Sequence, residues 1–584
     1  MRRRYVIAWD QRPLRRSRAD SLIELAMRMP GLAAVHAGPR LAMLADPALP
    51  VLRGSDRGLI LGTLFDRGGE RRRTALDQTL WDEILRTQGR ILVERFWGDY
   101  LAVLPASGGD TLDVVRAPFG DLGAYLVRDE AGWLIGSDAD IIARISARRP
   151  TLDVAALARH LAVPEAVGTE TCLKGISEIR GGDCAHLGGA GDTYSAYWSP
   201  WTFAARASGR TELDEATSKV RDATRQAVAG IASSYERMVL FLSGGLDSSI
   251  VAACLAYAGH PYTPLNLVTD DRIGDERRFA RAAAAALGVE LVERRRDPAG
   301  VDFTRSLAAL LPRPMARAFN QESERLAMRE ADRVGAGAMM DGSGGDNVFC
   351  SHRSVAATAD CLLSEGFGQH YRATALALSN LTGAGLPLIL LRSIQRAWLR
   401  PARLRSRRDT DFLSPRHAAL ARDRPDHTWL IAPPGSLPGR ALHVSHLIAA
   451  QALVESGSAA LPLDRVSPLM SQPVAEACLE VPSWMWFAPG HDRAVARRAF
   501  ADMLPAEIID RRTKGTPAPF VAELLLRRRA GVTPFLLDGV LAASGLLDLG
   551  RLAAYLGDAA PARAGIFTRV LGLIDAEAWA RCWN

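Results

Sequence analysis

Residues Arg237 to Ser249 read R-M-V-L-F-L-S-G-G-L-D-S-S, and this stretch restricts the fold more than any other. Met238 to Leu242 is a short apolar run of strand formers, and Ser248 to Ala258 is an apolar run of helical length closed by Gly259. A strand entering a helix through a small polar loop requires a sheet with that helix packed on it. Gly244 and Gly245 leave the backbone open to a ligand, while the helix start offers free N–H groups and the positive end of its dipole. The loop is therefore a phosphate cradle. It follows neither Gly-x-x-x-x-Gly-Lys-Ser/Thr nor Gly-x-Gly-x-x-Gly, so no lysine inside it balances a triphosphate. That charge falls to backbone amides, to the hydroxyls of Ser243, Ser248 and Ser249, and to a magnesium ion with Asp247 as ligand.

Ser-Gly-Gly-Leu-Asp-Ser-Ser resembles the pyrophosphate loop of the ATP pyrophosphatases, which split ATP into AMP and pyrophosphate to activate a carbonyl. The surrounding pattern predicts a helix over 211–232, a strand over 263–268, an acidic turn (Asp270, Asp271, Asp275, Glu276), a helix over 277–287 and a strand over 289–294. Such alternation makes a doubly wound parallel α/β sheet whose ligands bind at the carboxyl ends of the strands. Leu242, Leu267 and Val268 then lie along one rim, where adenine rests on backbone groups. A second strand-to-turn passage follows in A-M-M-D-G-S-G-G-D-N-V-F, residues 338–349. Gly342, Ser343, Gly344 and Gly345 allow another close backbone approach, and Asp346 supplies a carboxylate to share the metal with Asp247.

The first 205 residues read differently. Short apolar runs at 5–9, 41–44, 58–64, 100–104, 112–115, 123–127 and 133–136 alternate with turn signals, with helices expected at 21–29, 75–87 and 151–162. This predicts an α+β domain of layered sheets, with 201–210 as a linker to a second domain at 211–584. The order of Phe96-Trp97-Gly98-Asp99-Tyr100, Val115-Arg116-Ala117-Pro118-Phe119-Gly120, Trp133 to Asp138, Thr171 to Ile176 and Tyr197-Trp198-Ser199-Pro200 resembles the glutaminase-like (Ntn-type) domain of class B asparagine synthetases. That family's glutaminase needs a cysteine exposed by methionine removal, whose thiol is the nucleophile. Here Arg2 holds the position, and Leu61-Gly62-Thr63 stands where the family's Asn-Gly pair grips glutamine. The resemblance implies a degenerate glutaminase that persists as structure or docking surface.

In the second half, Ser467 to Met470, Arg493 to Phe500, Leu504-Pro505 and Arg511 to Gly515 follow the carboxyl-terminal order of the same superfamily. The resemblance makes Lys514 the lysine at the triphosphate, stabilising charge on the departing pyrophosphate. Aligned on Asp346, Ser343 replaces the active-site glutamate of asparagine synthetases and the tyrosine of β-lactam synthetases, and Asn347 replaces a further glutamate. Gly-Gly-Asp-Asn-Val-Phe-Cys is similar to the lasso-peptide cyclases, which form a macrolactam. The resemblance implies catalytic roles for Asp247, Asp346 and Lys514, ATP and Mg2+ as cofactors, and a precursor peptide as substrate. A leader-binding protein and a leader peptidase are the expected partners. A β-lactam synthetase acting on a small substrate, a non-catalytic nucleotide-binding scaffold and a tRNA-modifying enzyme are the alternatives. The base that takes the amine proton is not named by sequence; Glu322, Glu324 and His446 are candidates.

Composition narrows the class further. At 584 residues, 48% hydrophobic and 23% charged, the chain is long enough for two cores and has no apolar run approaching a membrane span, so a cytoplasmic protein is expected. Net charge of +7 permits an acidic partner without demanding one, and no nucleic acid is expected. The densest basic stretch, Arg392 to Arg408 with Arg396, Arg400, Arg403, Arg405 and Arg407, reads as a solvated face or a peptide-docking surface. Seven cysteines without a Cys-x-x-Cys pair indicate neither a disulfide framework nor a zinc site, and no histidine-and-acid cluster has metal spacing.

Overall fold

The computed structural model describes residues 3–10, 16–29, 31–54, 58–106, 110–146, 149–188, 191–206, 212–269, 274–315, 317–399, 408–421, 427–456, 463–516, 518–557 and 564–584. Arg2, Asp270, Asp271, Arg400, Arg403, Arg405 and Arg407 lie outside the described residues.

On the Tyr5–Asp10 strand, alternate side chains serve two cores: Tyr5, Ile7 and Trp9 face one, Val6 and Ala8 the other. The strand belongs to a six-stranded antiparallel sheet in the spatial order 177–178, 125–128, 132–136, 5–10, 41–45, 33–37. A second antiparallel sheet of six runs 191–196, 183–188, 111–116, 96–105, 59–66, 51–53. The sheets meet face to face, with Ile7 and Met43 of the first sealed against Leu61, Leu101 and Val103 of the second. Helices cover the outer faces: Leu22, Ile141 and Leu157 on the first sheet, Trp81 and Ile84 on the second. The layered α+β expectation therefore holds, with strands at 33–37, 51–53, 177–178, 183–188 and 191–196 added to those read from sequence. Strand 51–53 is only three residues long, and the other four carry Ala, Gly, Asp, Ser or His where a strand reading looks for branched and aromatic residues. The helix expected from residue 75 starts at Gln78, because the Asp77 carboxylate caps it by accepting the Leu80 amide at 2.8 Å.

The linker expected at 201–210 needs correction. Pro200–Ala204 is a short helix with Trp201 and Phe203 buried, and Trp201 Nε1 donates to the Trp429 carbonyl at 2.9 Å. Two large aromatics anchor this passage; residues 207–211 lie outside the described residues.

The strands from Met238 onward form one parallel sheet. In chain order they are Met238–Phe241, Tyr262–Val268, Val292–Arg295, Ala338–Met340 and Asp464–Val466, and in space they run third, second, first, fourth, fifth. The direction of travel reverses between Met238–Phe241 and Ala338–Met340, and such a switch point opens a crevice at the carboxyl ends of those two strands. Both glycine-rich loops leave the sheet there.

The halves of the chain are tied together. Arg116 donates at 2.7 Å both to Glu178 and to Glu455, and Arg313 pairs with Glu178; Arg116, Glu178 and Arg313 are buried and Glu455 is half-buried. Trp198 Nε1 donates to Glu476 at 2.8 Å, and Arg67 pairs with the same carboxylate. The carboxyl-terminal helices close the second tie, with Leu524, Leu536 and Trp579 in one core with Leu22 and Leu157.

Candidate active site

Helix 246–257 begins at Gly245, and its first turn is assembled from hydroxyls. Ser243 Oγ accepts the Gly245 amide at 3.2 Å and lies 3.1 Å from Ser248 Oγ, which also meets the Ser243 amide at 3.3 Å. The glycines divide their duties. A side chain at Gly244, whose φ is +71°, would fall 2.3 Å from the Ala280 amide, so this residue lets the next helix pack against the loop. At Gly245 a Cβ would meet only Ser243 Oγ, at 3.2 Å, leaving that backbone open. Ser249 corrects the sequence reading: it is fully buried on the inner side of the helix, so its hydroxyl faces the core rather than the loop mouth. Leu242 is likewise engaged from beneath, its amide donating to the Leu265 carbonyl at 2.9 Å and its carbonyl accepting Asn266 Nδ2 at 2.8 Å. Leu267 and Val268 end the adjacent strand, half-buried at the same rim.

The second loop fits against the first at van der Waals limits. A Cβ at Gly342 would come 2.6 Å from the Ser248 amide, and one at Gly345 would come 2.4 Å from Asp247 Cγ. Gly344 has φ +82° and would strike Met470. Gly342 and Gly345 thus serve loop-to-loop packing, and Gly344 packing on Met470, rather than open space for a ligand. Asp341 anchors the turn: its carboxylate accepts the Ser343 amide at 2.9 Å, Ser467 Oγ at 2.8 Å and Arg465 Nε at 2.9 Å. Burial opposes its ionisation, but Arg465 and these hydrogen bonds hold the carboxyl below its ordinary range. Ser343 Oγ lies 3.4 Å from Arg465, and Asn347 Nδ2 donates to the His446 carbonyl at 2.8 Å.

The two loops converge on a cation that sequence reasoning did not single out. Arg493 Nη1 lies 3.2 and 3.1 Å from the two oxygens of Asp247 and 2.6 Å from Asp346. Lys514 Nζ pairs with the other Asp346 oxygen. Burial pushes the Asp247 carboxyl upward against the pull of Arg493, with Asp346 adding to the rise. Burial also works against the Arg493 charge, and Asp247 and Asp346 outweigh it. The carboxyl-terminal segment is held on the first loop by Arg511, which donates to the Gly244 carbonyl at 3.0 Å and to Glu276 at 2.6 Å while stacking on Phe279. Glu276 also accepts the Gly515 amide, which fixes the turn bearing Lys514.

These residues suit a hard divalent cation. Two carboxylates from separate loops already focus on one positive group, and hard oxygen donors of this kind match magnesium. Asp247 and Asp346 are the residues that would hold it. Of the base candidates, Glu322 is fully buried and paired with Arg325, and Glu324 is buried on the same helix. His446 is on helix 438–455, its ring 5.8 Å from that of His352, and burial lowers its pKa. His443 is buried, with Nε2 2.9 Å from the Val348 carbonyl, and is structural.

Arg493 stands in an arginine-rich stretch with nothing local to set it apart; its left-handed φ of +55° at the start of helix 494–499 aims it inward. A second group was also missed. Contrary to the sequence expectation, Asp113, Cys184 and His186 form a cluster of metal-ligand type, assembled by strand pairing rather than by spacing.

A switch-point phosphate cradle, a carboxylate pair and a lysine at the mouth characterise an ATP-dependent amide-forming ligase once the family is known. The chain belongs to the asparagine synthase family, whose profile matches residues 219–581, more than half of its length. Among solved structures, the allosteric regulatory enzyme of purine biosynthesis is similar at 9% identity over 50% of this chain and 80% of that one, with a TM-score of 0.21. The glutamine phosphoribosylpyrophosphate (PRPP) amidotransferase from B. subtilis complexed with ADP and GMP is similar at 10% identity over 50% and 81%, with a TM-score of 0.21. Similarity of that size carries no argument about this chain. No curated protein matches it. Among the described residues no helix is long and apolar enough to cross a membrane.

Proposed function

We propose that this protein is a lasso-peptide cyclase. It activates an Asp or Glu side chain of a precursor peptide as the acyl-adenylate, releasing pyrophosphate, and the peptide's own N-terminal amine attacks to close a macrolactam and free AMP. The observation that carries this reading is the meeting of Asp247 and Asp346 across the switch point, beside a Ser343 and an Asn347 that offer no acid or phenol for a small amine substrate.

Each residue has a physical task. The open amides at the start of helix 246–257 and the hydroxyls of Ser243 and Ser248 receive phosphate oxygens. Asp247 and Asp346 would hold Mg2+, which when bound neutralises triphosphate charge. Lys514, exposed at the mouth, follows charge onto the leaving pyrophosphate. Ring closure is chiefly a matter of placement, since holding amine and acyl carbon in register supplies roughly 7–11 kcal/mol through effective molarity. The amino-terminal layered domain serves as a degenerate glutaminase scaffold: Arg3 pairs with Asp464 and donates to Tyr235, binding the domain to the parallel sheet. A leader-binding protein and a leader peptidase deliver the substrate.

The test is incubation with ATP, Mg2+ and a leader-free peptide bearing an internal Asp or Glu. A product lighter by one water together with AMP supports the proposal. AMP formed only with small amino-acid substrates places the protein beside the β-lactam synthetases instead, and unchanged product with Asp247→Ala makes it a scaffold.

A further inference from the structure

Away from the nucleotide loops, strand pairing gathers three side chains with ligand chemistry. Asp113 lies on strand 111–116, and its register partner on strand 183–188 is His186; Cys184 stands two residues along on the same face. His186 Nδ1 is 2.7 Å from Asp113 Oδ1 and 3.8 Å from Cys184 Sγ. All three ligand atoms lie within 4.8 Å of one another. A tetrahedral zinc ion, with Zn–N and Zn–O of about 2.0 Å and Zn–S of about 2.3 Å, sets donor-to-donor edges of roughly 3.3–3.6 Å. The two histidine separations, 2.7 and 3.8 Å, fall on either side of that span, so modest side-chain shifts bring these donors to it.

Two independent features favour an ion there. The other ring nitrogen, His186 Nε2, is 3.0 Å from Ser195 Oγ on the edge strand 191–196. When it donates to that hydroxyl, Nδ1 presents its lone pair to Asp113 and Cys184, the outer-shell arrangement that orients a metal-bound histidine. In addition, Cys184 and Asp113 are buried while the His186 side chain is 23% exposed, which gives an entry path and a side for a fourth ligand.

We propose that Asp113, Cys184 and His186 form a zinc site, with Ser195 setting the histidine tautomer and the fourth position open beside His186. The ion pins strands 111–116 and 183–188 to one another. The site is independent of the amide-forming chemistry, since none of its residues belongs to the nucleotide loops.

The experiment uses the full chain, stripped with chelator, loaded by dialysis against zinc, desalted and measured by elemental mass spectrometry. A parallel sample carries cobalt(II), whose thiolate charge-transfer band reports sulfur ligation. Wild-type protein is expected to keep one equivalent of zinc and to show the band. Cys184→Ser and His186→Gln lose both, and Ser195→Ala binds about 10- to 100-fold more weakly. His186→Gln alters a part-exposed side chain, so unchanged circular dichroism separates loss of the ion from loss of the fold. Cys582→Ser, at an exposed thiol, keeps both signals. Wild-type protein that emerges without zinc, or zinc that survives both ligand substitutions, overturns the proposal.

Discussion

Asp247 and Asp346 come from different loops and meet on one nitrogen of Arg493, at 3.1 and 2.6 Å. Two buried or half-buried carboxylates this close need a shared cation, and Arg493 supplies it. Arg493→Met is therefore expected to lower stability by about 3 kcal/mol in magnesium-free buffer, the scale of a buried pair losing one partner. Addition of magnesium and ATP should narrow the gap to wild type. Urea midpoints with and without ligand measure it, and a gap that widens on ligand addition contradicts the shared-cation account.

Removing either acid should separate chemistry from folding. Asp247→Asn and Asp346→Asn are expected to reduce ATP–pyrophosphate exchange by about a hundredfold or more, in keeping with several kcal/mol of charge stabilisation. Circular dichroism should stay unchanged, since Asn is close in volume.

Lys514 presents the opposite balance. Its side chain is 64% exposed, so Lys514→Ala should change the melting temperature little, exposed pairs contributing about 0–1 kcal/mol. Exchange should nonetheless fall by about 100- to 1,000-fold, as when one charge-stabilising donor is deleted. Equal loss of stability and activity would mean that the residue is structural.

Gly345 is where the loops touch most closely. A Cβ there falls 2.4 Å from Asp247 Cγ, so Gly345→Ala should force the loops apart, cost about 1–3 kcal/mol and abolish nucleotide binding measured by titration calorimetry. Gly245→Ala meets only a serine hydroxyl at 3.2 Å and should leave the melting temperature near wild type.

Asp575 gives the chain a pH signature. Burial raises its carboxyl from 3.8 to about 7, although the Ala318 amide donates to it at 2.8 Å. The folded state thus holds the proton more tightly than the unfolded chain, so this stabilisation is full below pH 3.8 and is lost as pH rises through about 7. Asp575→Asn, which stays neutral and can still accept the amide, should gain on wild type by more at pH 8 than at pH 5, on the order of a few kcal/mol. Thermal unfolding at the two pH values measures this, and a parallel offset would contradict it.

What the chain discloses without its fold depends on how local each feature is. Ser243 to Asp247 was legible because strand, loop and helix follow one another directly, and Asp346 because its glycines announce a turn. Ser249 was misplaced because the helix rotates about 100° per residue, which swings it into the core while Ser248 stays at the mouth. Arg493 was silent: only the folded path brings it between two acids distant in sequence. Asp113, Cys184 and His186 needed the register of two strands. The short strands at 33–37 and 191–196 escaped because partner strands, rather than their own residues, make them strands.

The Asp464–Val466 strand joins the sheet beside Ala338–Met340 only after the chain has travelled through a long helical excursion, and Arg493 and Lys514 emerge later still. As the chain is synthesised, the first three parallel strands can pair early, with modest loop closure between them. The last strand must close a far longer loop, which slows its arrival. The pyrophosphate loop is therefore expected to exist for a time without its closing cations, so a ribosome-held fragment ending before residue 464 should be compact in that region yet unable to retain nucleotide.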